Sequence, residues 1–261
     1  MSLPNCYRCG KQPCECKDGI TLYHADCRDV LPLLEAGSVR LLWTDPPYGH
    51  GNQDGDLQAA RVRDGVKGAR KQAAEPIQND SAGEMRAVVS DALSSSERLL
   101  TPDCCCCCCC CSGGGGPNVT FARTAIRLDS DGLEFFHAVV WDKSQRGNGM
   151  GWRYRRNYEF VMVCHKRNGR LAWADDSLAV PNIVRLAPPH KRLHPNEKPI
   201  ELPRRFIEWH TGPTDLVLDP FAGSGTTLRA AKDLGRKAIG IEIELKYVEI
   251  AANRLRQEVL F

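Results

Sequence analysis

Two kinds of segment are missing from this chain. No apolar run among its 261 residues is long enough to cross a bilayer, and no basic stretch followed by a short apolar core opens it. The expectation is a soluble, cytoplasmic protein with no membrane partner. A strong charge of either sign is missing too. Against 35 Lys and Arg stand 32 Asp and Glu, a formal net charge of +3, so any surface for nucleic acid has to be local. The spaced cysteines of a secreted disulfide framework are also absent. Eight of the fourteen cysteines are consecutive, which reads as reduced thiols in a cytosol.

What is there is organised around Leu41-Leu42-Trp43-Thr44-Asp45-Pro46-Pro47-Tyr48-Gly49. The apolar residues read as a buried strand, and the two prolines end it, since proline donates no ladder hydrogen bond and fixes its own φ. Asp45 therefore stands at the carboxyl end of a strand, where ligands bind in open α/β sheets. A carboxylate and proline carbonyls offer only acceptors, and Tyr48 offers a flat face. Together they suit a planar group bearing an NH2, such as a nucleobase.

A second acid-tipped strand lies far downstream in Asp215-Leu216-Val217-Leu218-Asp219-Pro220-Phe221-Ala222-Gly223-Ser224-Gly225-Thr226-Thr227. A strand ending at Asp219 leads into a Gly-x-Gly turn and a helix from about Thr226, an arrangement that brings a ligand close to backbone N–H groups. The turn lacks the third glycine of a dinucleotide fingerprint. Ala238 to Ile241 form the next strand, ending at Glu242, twenty-three residues after Asp219, where an acid can accept hydrogen bonds from ribose hydroxyls.

These two blocks resemble the catalytic and cofactor motifs of amino-group DNA methyltransferases, which methylate adenine N6 or cytosine N4. The resemblance covers most of residues 19–257. It implies a Rossmann-like α/β methyltransferase fold, a mostly parallel twisted sheet with an antiparallel hairpin at one edge, and S-adenosylmethionine as cofactor. Asp45, Pro46, Pro47 and Tyr48 would be catalytic. Phe221, Ala222, Gly223, Ser224 and Gly225 would wrap the methionine part, with Pro220 and Thr226 flanking them and Asp219 near its amino group. Glu242 would hold the ribose, Asp26 the adenine, and Lys198 the region of the carboxylate or the loop beneath it. With the catalytic motif first and the cofactor motif last, the order is the permuted one of the β class. The strand after Glu242 would then be supplied by Ile20 to His24. The final helix, from Tyr247 to Leu255, is expected only to pack on the sheet.

Two domains are expected: a Cys-rich arm over 1–18 and a methyltransferase domain over 19–261. In the arm, Cys6, Cys9, Cys14 and Cys16 fall within eleven residues, with Gly10 and Pro13 between them. Four thiolates so spaced either close a structural zinc site or belong to a flexible reduced arm. Gly19 to Cys27, a short β-rich strand delivering Asp26 at its end, an amphipathic helix through Val30, Leu31, Leu33 and Leu34 stopped by Gly37, and Val39 to Trp43 form a strand–helix–strand unit. Such a unit implies a parallel sheet, with Asp26 and Asp45 on neighbouring carboxyl edges. Residues 50–83 have almost no periodic apolar positions but carry Arg61, Arg63, Lys67, Arg70 and Lys71, so they are either a mobile lid over DNA or a solvated loop.

Met85 to Leu100 has helical spacing, ended by Thr101-Pro102-Asp103. Cys104 to Cys111 suit a strand covered on both faces, beside Leu41 to Thr44, because cysteine behaves as a small hydrophobe. A metal cluster in this run is the alternative, although neighbours on a strand point to opposite faces. Phe121 to Leu128 look helical, and Leu133–Trp141 and Tyr158–His165 look like two strands. The link between those strands carries Arg146, Trp152, Arg153, Tyr154, Arg155 and Arg156, a mixture suited to phosphate contact and base stacking, or else a solvated hairpin tip. Lys191 and Arg192 add a second basic group in a short target-recognition segment over about 144–195.

The function these readings support is site-specific transfer of a methyl group to adenine N6 in double-stranded DNA, with the base flipped out. Asp at the first motif position goes with adenine in the family and Ser with cytosine. The alternatives are a cytosine-N4 enzyme, an RNA or protein-glutamine methyltransferase, and a DNA-binding relative without turnover. The resemblance is compatible with a bacterial or phage origin, a cognate restriction endonuclease as partner, and a monomer or homodimer.

Overall fold

The structure is a computed structural model that describes residues 2–46, 82–110, 128–129, 132–144, 157–175, 179–190, 193 and 197–257. Its centre is one twisted sheet. In chain order the strands are β1 (Ile20–His24), β2 (Val39–Thr44), β3 (Leu100–Cys110), β4 (Leu133–Asp142), β5 (Tyr158–Lys166), β6 (Arg170–Leu171), β7 (Ile183–Arg185), β8 (Leu216–Asp219) and β9 (Lys237–Glu242). Across the sheet they run β1-β9-β8-β2-β3-β5-β4-β7, with β6 beside β3. From β1 to β3 every pairing is parallel, and β5 is antiparallel to both β3 and β4.

Helices cover both faces, and period-2 alternation sorts the side chains between them. Leu41, Trp43, Cys105, Cys107 and Val217 face α3 (Glu201–His210), α4 (Thr226–Asp233) and α5 (Leu245–Arg256). Leu42, Cys104, Cys106 and Leu218 face α1 (Cys27–Val30) and α2 (Ala82–Glu97). Double coverage is why β2 and the cysteine strand read as unbroken apolar runs. Trp43 is buried with its ring 5.0 Å from that of Phe206, and this contact locks α3 onto β2. Among the described residues no helix is long and apolar enough to cross a membrane.

The two halves of the chain interlock as the motif order implies: β1 pairs with β9, from Ile20 opposite Ala238 to His24 opposite Glu242. This pairing corrects the expectation that Asp26 and Asp45 stand on neighbouring strand ends. β9 and β8 lie between β1 and β2, because the strands of the cofactor half are inserted there. The first helix is also shorter than its apolar spacing suggests. It gives way to a 3-10 turn at Leu31–Leu33, which begins with Pro32 in its first turn, and Gly37 turns the chain at φ 66°.

Thr101-Pro102-Asp103, read as a terminator, belongs to β3. The β2–β3 register jumps from Val39–Leu100 to Leu41–Cys105, and Asp103 and Cys104 pair with β6 instead. Such a bulge tolerates a proline inside a strand. The hairpin β4–β5 forms as expected but is not outermost, since β7 adds in parallel to β4. Leu128 and Asp129 are helical. The rest of the expected helix from Phe121 lies outside the described residues, as do residues 50–81 of the expected lid.

Candidate active site

Asp45, Asp219 and Glu242 follow from one geometric fact: β2, β8 and β9 are parallel, so their carboxyl ends emerge on one side of the sheet. There they line a cleft of about 1010 Å³ including its open mouth. Asp26, Pro46, Lys198 and the turn Pro220–Ser224 line it as well, with Trp43, Phe221, Ile241 and Tyr247 as its apolar part.

The glycine turn is shaped from both ends. Gly223 and Gly225 have φ of 50° and 77°, and Gly225 ends the turn immediately before the first residue of α4. A Cβ at Gly225 would stand 2.8 Å from Cβ of Ala251, so the position needs glycine both for its left-handed backbone and for the approach of α5. Gly223 N donates to Oε2 of Glu242 at 2.8 Å, and Glu244 N donates to Oε1 at 2.8 Å. Burial raises the pKa of Glu242, against those two hydrogen bonds. Asp219 accepts from Phe221 N at 3.1 Å. Burial pushes its carboxyl up to about 7, with the charges of Asp45 and Glu242 acting in the same direction.

Asp26 is held differently. Its side chain accepts from Arg28 N at the start of α1, and Arg28 also pairs with it at 2.6 Å. The Arg28 guanidinium keeps the carboxyl below its ordinary range. Lys198, assigned by resemblance to the cofactor carboxylate or the loop beneath it, stands with Nζ 2.8 Å from Oδ2 of Asp45 and 3.5 Å from Oε2 of Glu159. Glu159 in turn pairs with Lys143. Sequence reasoning missed Glu159, because nothing in the β-rich segment around it marks one acid as special.

It also missed Arg254. The last helix does more than pack: Arg254 pairs with Glu197, which lines the cleft, and donates to Oγ1 of Thr226 at 2.8 Å. The helix thus braces the glycine turn from behind. Pro47, Tyr48, Arg146, Trp152, Arg153, Arg155, Arg156, Lys191 and Arg192 lie outside the described residues. Cys6, Cys9, Cys14 and Cys16 gather in the arm, and a second buried group, Cys105, Cys107 and His210, gathers under α3.

The arrangement offers a turn of backbone donors, several carboxylates, and one carboxylate fixed by an ammonium, all around one cleft. The chain is similar to known proteins. A family model described as DNA methylase matches residues 39–253. The chain is 24% identical to the type II methyltransferase M2.LlaDCHI of Lactococcus lactis subsp. cremoris, over 92% of this chain and 91% of that one. Its fold matches the crystal structure of the M1.HpyAVI–SAM complex with a TM-score of 0.65, at 24% identity over 91% of this chain and all of that one. It matches the cytosine-N4-specific PvuII DNA methyltransferase with a TM-score of 0.69, at 20% identity over 93% and 88%. With the family match spanning most of its length, the chain belongs to the N6/N4 DNA methylases, enzymes that methylate exocyclic amino groups in DNA.

Proposed function

We propose that this chain is an S-adenosylmethionine-dependent DNA methyltransferase of the permuted β class, acting on adenine N6 in double-stranded DNA. One observation carries the reading: Asp45 and Pro46 line the same cleft as the turn Phe221–Ser224. The donor set suits the cofactor. Asp219 and Glu242 favour a ligand bearing positive charge, Phe221 and Ile241 offer apolar surface to a ring, and the turn gives backbone close access. Phe221 to Gly225 would hold the methionine part, Asp219 its amino group, Glu242 the ribose and Asp26 the adenine. When bound, S-adenosylmethionine supplies a methyl group made electrophilic by its sulfonium.

The residues of this chain address the other reactant. An exocyclic amine is a poor nucleophile, because its lone pair is delocalised into the ring. Hydrogen bonds from its two N–H groups to the Asp45 carboxylate and the Pro46 carbonyl would localise that pair, and they strengthen as the nitrogen becomes tetrahedral. Lys198 holds Asp45 in place for this task. Positioning supplies the rest of the acceleration, so no cysteine needs to act as a nucleophile. The target nitrogen lies inside the duplex, so the base must leave the stack, and Tyr48 is assigned to stack on it. Arg146, Trp152, Arg153, Arg155, Arg156, Lys191 and Arg192 are assigned to the DNA.

The adenine assignment rests on Asp at the first motif position. The fold shared with the cytosine-N4-specific PvuII enzyme supports cytosine N4 as the second reading, since a cytosine amine offers the same pair of N–H groups. The test is incubation with labelled S-adenosylmethionine and unmethylated genomic DNA, followed by digestion to nucleosides. Label in N6-methyladenine is expected, and Asp45→Ala should abolish it while cofactor binding persists. Label in N4-methylcytosine would replace the base assignment. Label in 5-methylcytosine, or in protein alone, would end the proposal.

A further inference from the structure

The four cysteines of the arm converge on a single point. Sγ of Cys9 lies 3.8 Å from Sγ of Cys14, Sγ of Cys6 lies 4.0 Å from Sγ of Cys16, and all four sulfurs lie within 4.8 Å of one another. A zinc ion with Zn–S bonds of about 2.3 Å in tetrahedral geometry sets its sulfurs about 3.8 Å apart. Two independent disulfides would bring each pair together, but they give no reason for the two pairs to meet. The chain between the cysteines is shaped for convergence. Gly10 adopts φ 71° and donates its N–H to Cys6 O at 2.7 Å, and Cys6 N donates to Lys11 O at 3.0 Å, which closes the first loop. Cys16 N points at Cys14 Sγ at 3.5 Å, as backbone amides do around thiolates.

The cluster also has a place in the fold. β1 is the outer strand on its side of the sheet, and the arm lies along its free edge. Tyr7 N donates to Leu22 O at 2.8 Å, and Arg8 Nη1 donates to Ile20 O at 2.8 Å while gripping Asp18. Alternate carbonyls of the edge are thereby covered, which removes a template for pairing with another chain. Among the described residues of the arm only Cys6 is fully buried, and Leu3 is partly packed against the core. We propose that Cys6, Cys9, Cys14 and Cys16 hold one structural zinc ion, which fixes the arm as the cover of the outer edge of β1. Loading one Zn2+ sends four thiol protons to solvent, and four thiolates leave no open position for catalysis. The proposal stands apart from the methyl-transfer reading and survives its failure.

The test uses the full chain, purified with zinc and a thiol reductant and without chelator. Elemental analysis should give one zinc per chain, lost in Cys9→Ser/Cys14→Ser and kept in Cys105→Ser. That pattern separates the arm from the buried group of Cys105, Cys107 and His210. Zinc-free wild type, or zinc retained by the arm variant, would overturn the proposal. So would mass spectrometry showing Cys6–Cys16 and Cys9–Cys14 bridges in the purified protein. Should the arm variant not fold, Cys105→Ser loaded with cobalt gives the same decision. Thiolate-to-cobalt charge-transfer and tetrahedral d–d absorption support the site, and their absence overturns it. Removing the metal should speed hydrogen exchange at the Tyr7 amide at least tenfold, and an unchanged rate would sink the edge-cover role.

Discussion

Nζ of Lys198 lies 2.8 Å from Oδ2 of Asp45, across 153 positions of sequence. The contact ties a residue three positions before α3 to the end of β2, and it places a cation beside an acid that lines the cleft. Lys198 is 7% exposed and Asp45 20%, so solvent screens the pair only in part.

Lys198→Met leaves Asp45 without this counter-charge. The turnover of methyl transfer should fall about a hundredfold through lost positioning, while the dissociation constant for S-adenosylmethionine changes by less than about threefold, because uniform binding is left intact. Lys198→Arg keeps the charge and should recover part of the loss. Single-turnover kinetics with equilibrium dialysis of the cofactor separate the two quantities.

Asp219 makes the ligand-free protein sensitive to pH. Its carboxyl titrates at about 7 in the fold against 3.8 ordinarily, so the folded state holds a proton that the unfolded chain releases. The stabilisation is fully present below the ordinary value and is lost as pH rises through about 7. Wild type should lose roughly 2 kcal/mol from this group between about pH 5.5 and about pH 8, and Asp219→Asn should not. Urea midpoints at the two pH values check it. A cationic cofactor favours the ionised form, so its binding should tighten as pH rises over the same range.

Gly225→Ala places a methyl 2.8 Å from Cβ of Ala251 at a φ of 77°. The left-handed backbone alone costs about 1–3 kcal/mol for a residue with a side chain. Adding Ala251→Gly should return the steric part and leave the backbone part. A double-mutant cycle by urea unfolding resolves the two.

Arg254→Met removes the pair with Glu197 and the hydrogen bond to Thr226. A hydrogen bond to a charged group is worth about 1.5 kcal/mol, so the dissociation constant of the cofactor should rise about tenfold. Turnover at saturation should stay within about twofold. Isothermal titration and saturation kinetics measure both.

Much of this architecture is readable locally. Leu41 to Thr44 and Leu216 to Asp219 are short apolar runs ending in acids, and period and terminator suffice to place those acids at strand ends. The cysteine run was legible as a doubly covered strand, because burial on both faces demands small apolar residues without alternation. What stayed hidden is who neighbours whom. Nothing near Asp26 says that two strands from the far end of the chain separate it from Asp45. Nothing in the amphipathic pattern of α5 says that Arg254 reaches the glycine turn, since its neighbours in sequence are not its partners. Lys198 was singled out by resemblance, but its bond to Asp45 depends on how α3 packs against β2.

β3 carries a last consequence. Cys105, Cys106 and Cys107 lie opposite Leu41, Leu42 and Trp43. In an ordinary strand, sliding by one residue would swap inward for outward side chains and be penalised at once. Here the slide exchanges thiol for thiol, so the strand keeps no record of its own alignment. The stops must come from outside the run, from Leu99 and Leu100 at its entrance and from the bulge that meets β6. The middle of the sheet is thus a smooth rail, brought to rest by what lies at its end and on either side.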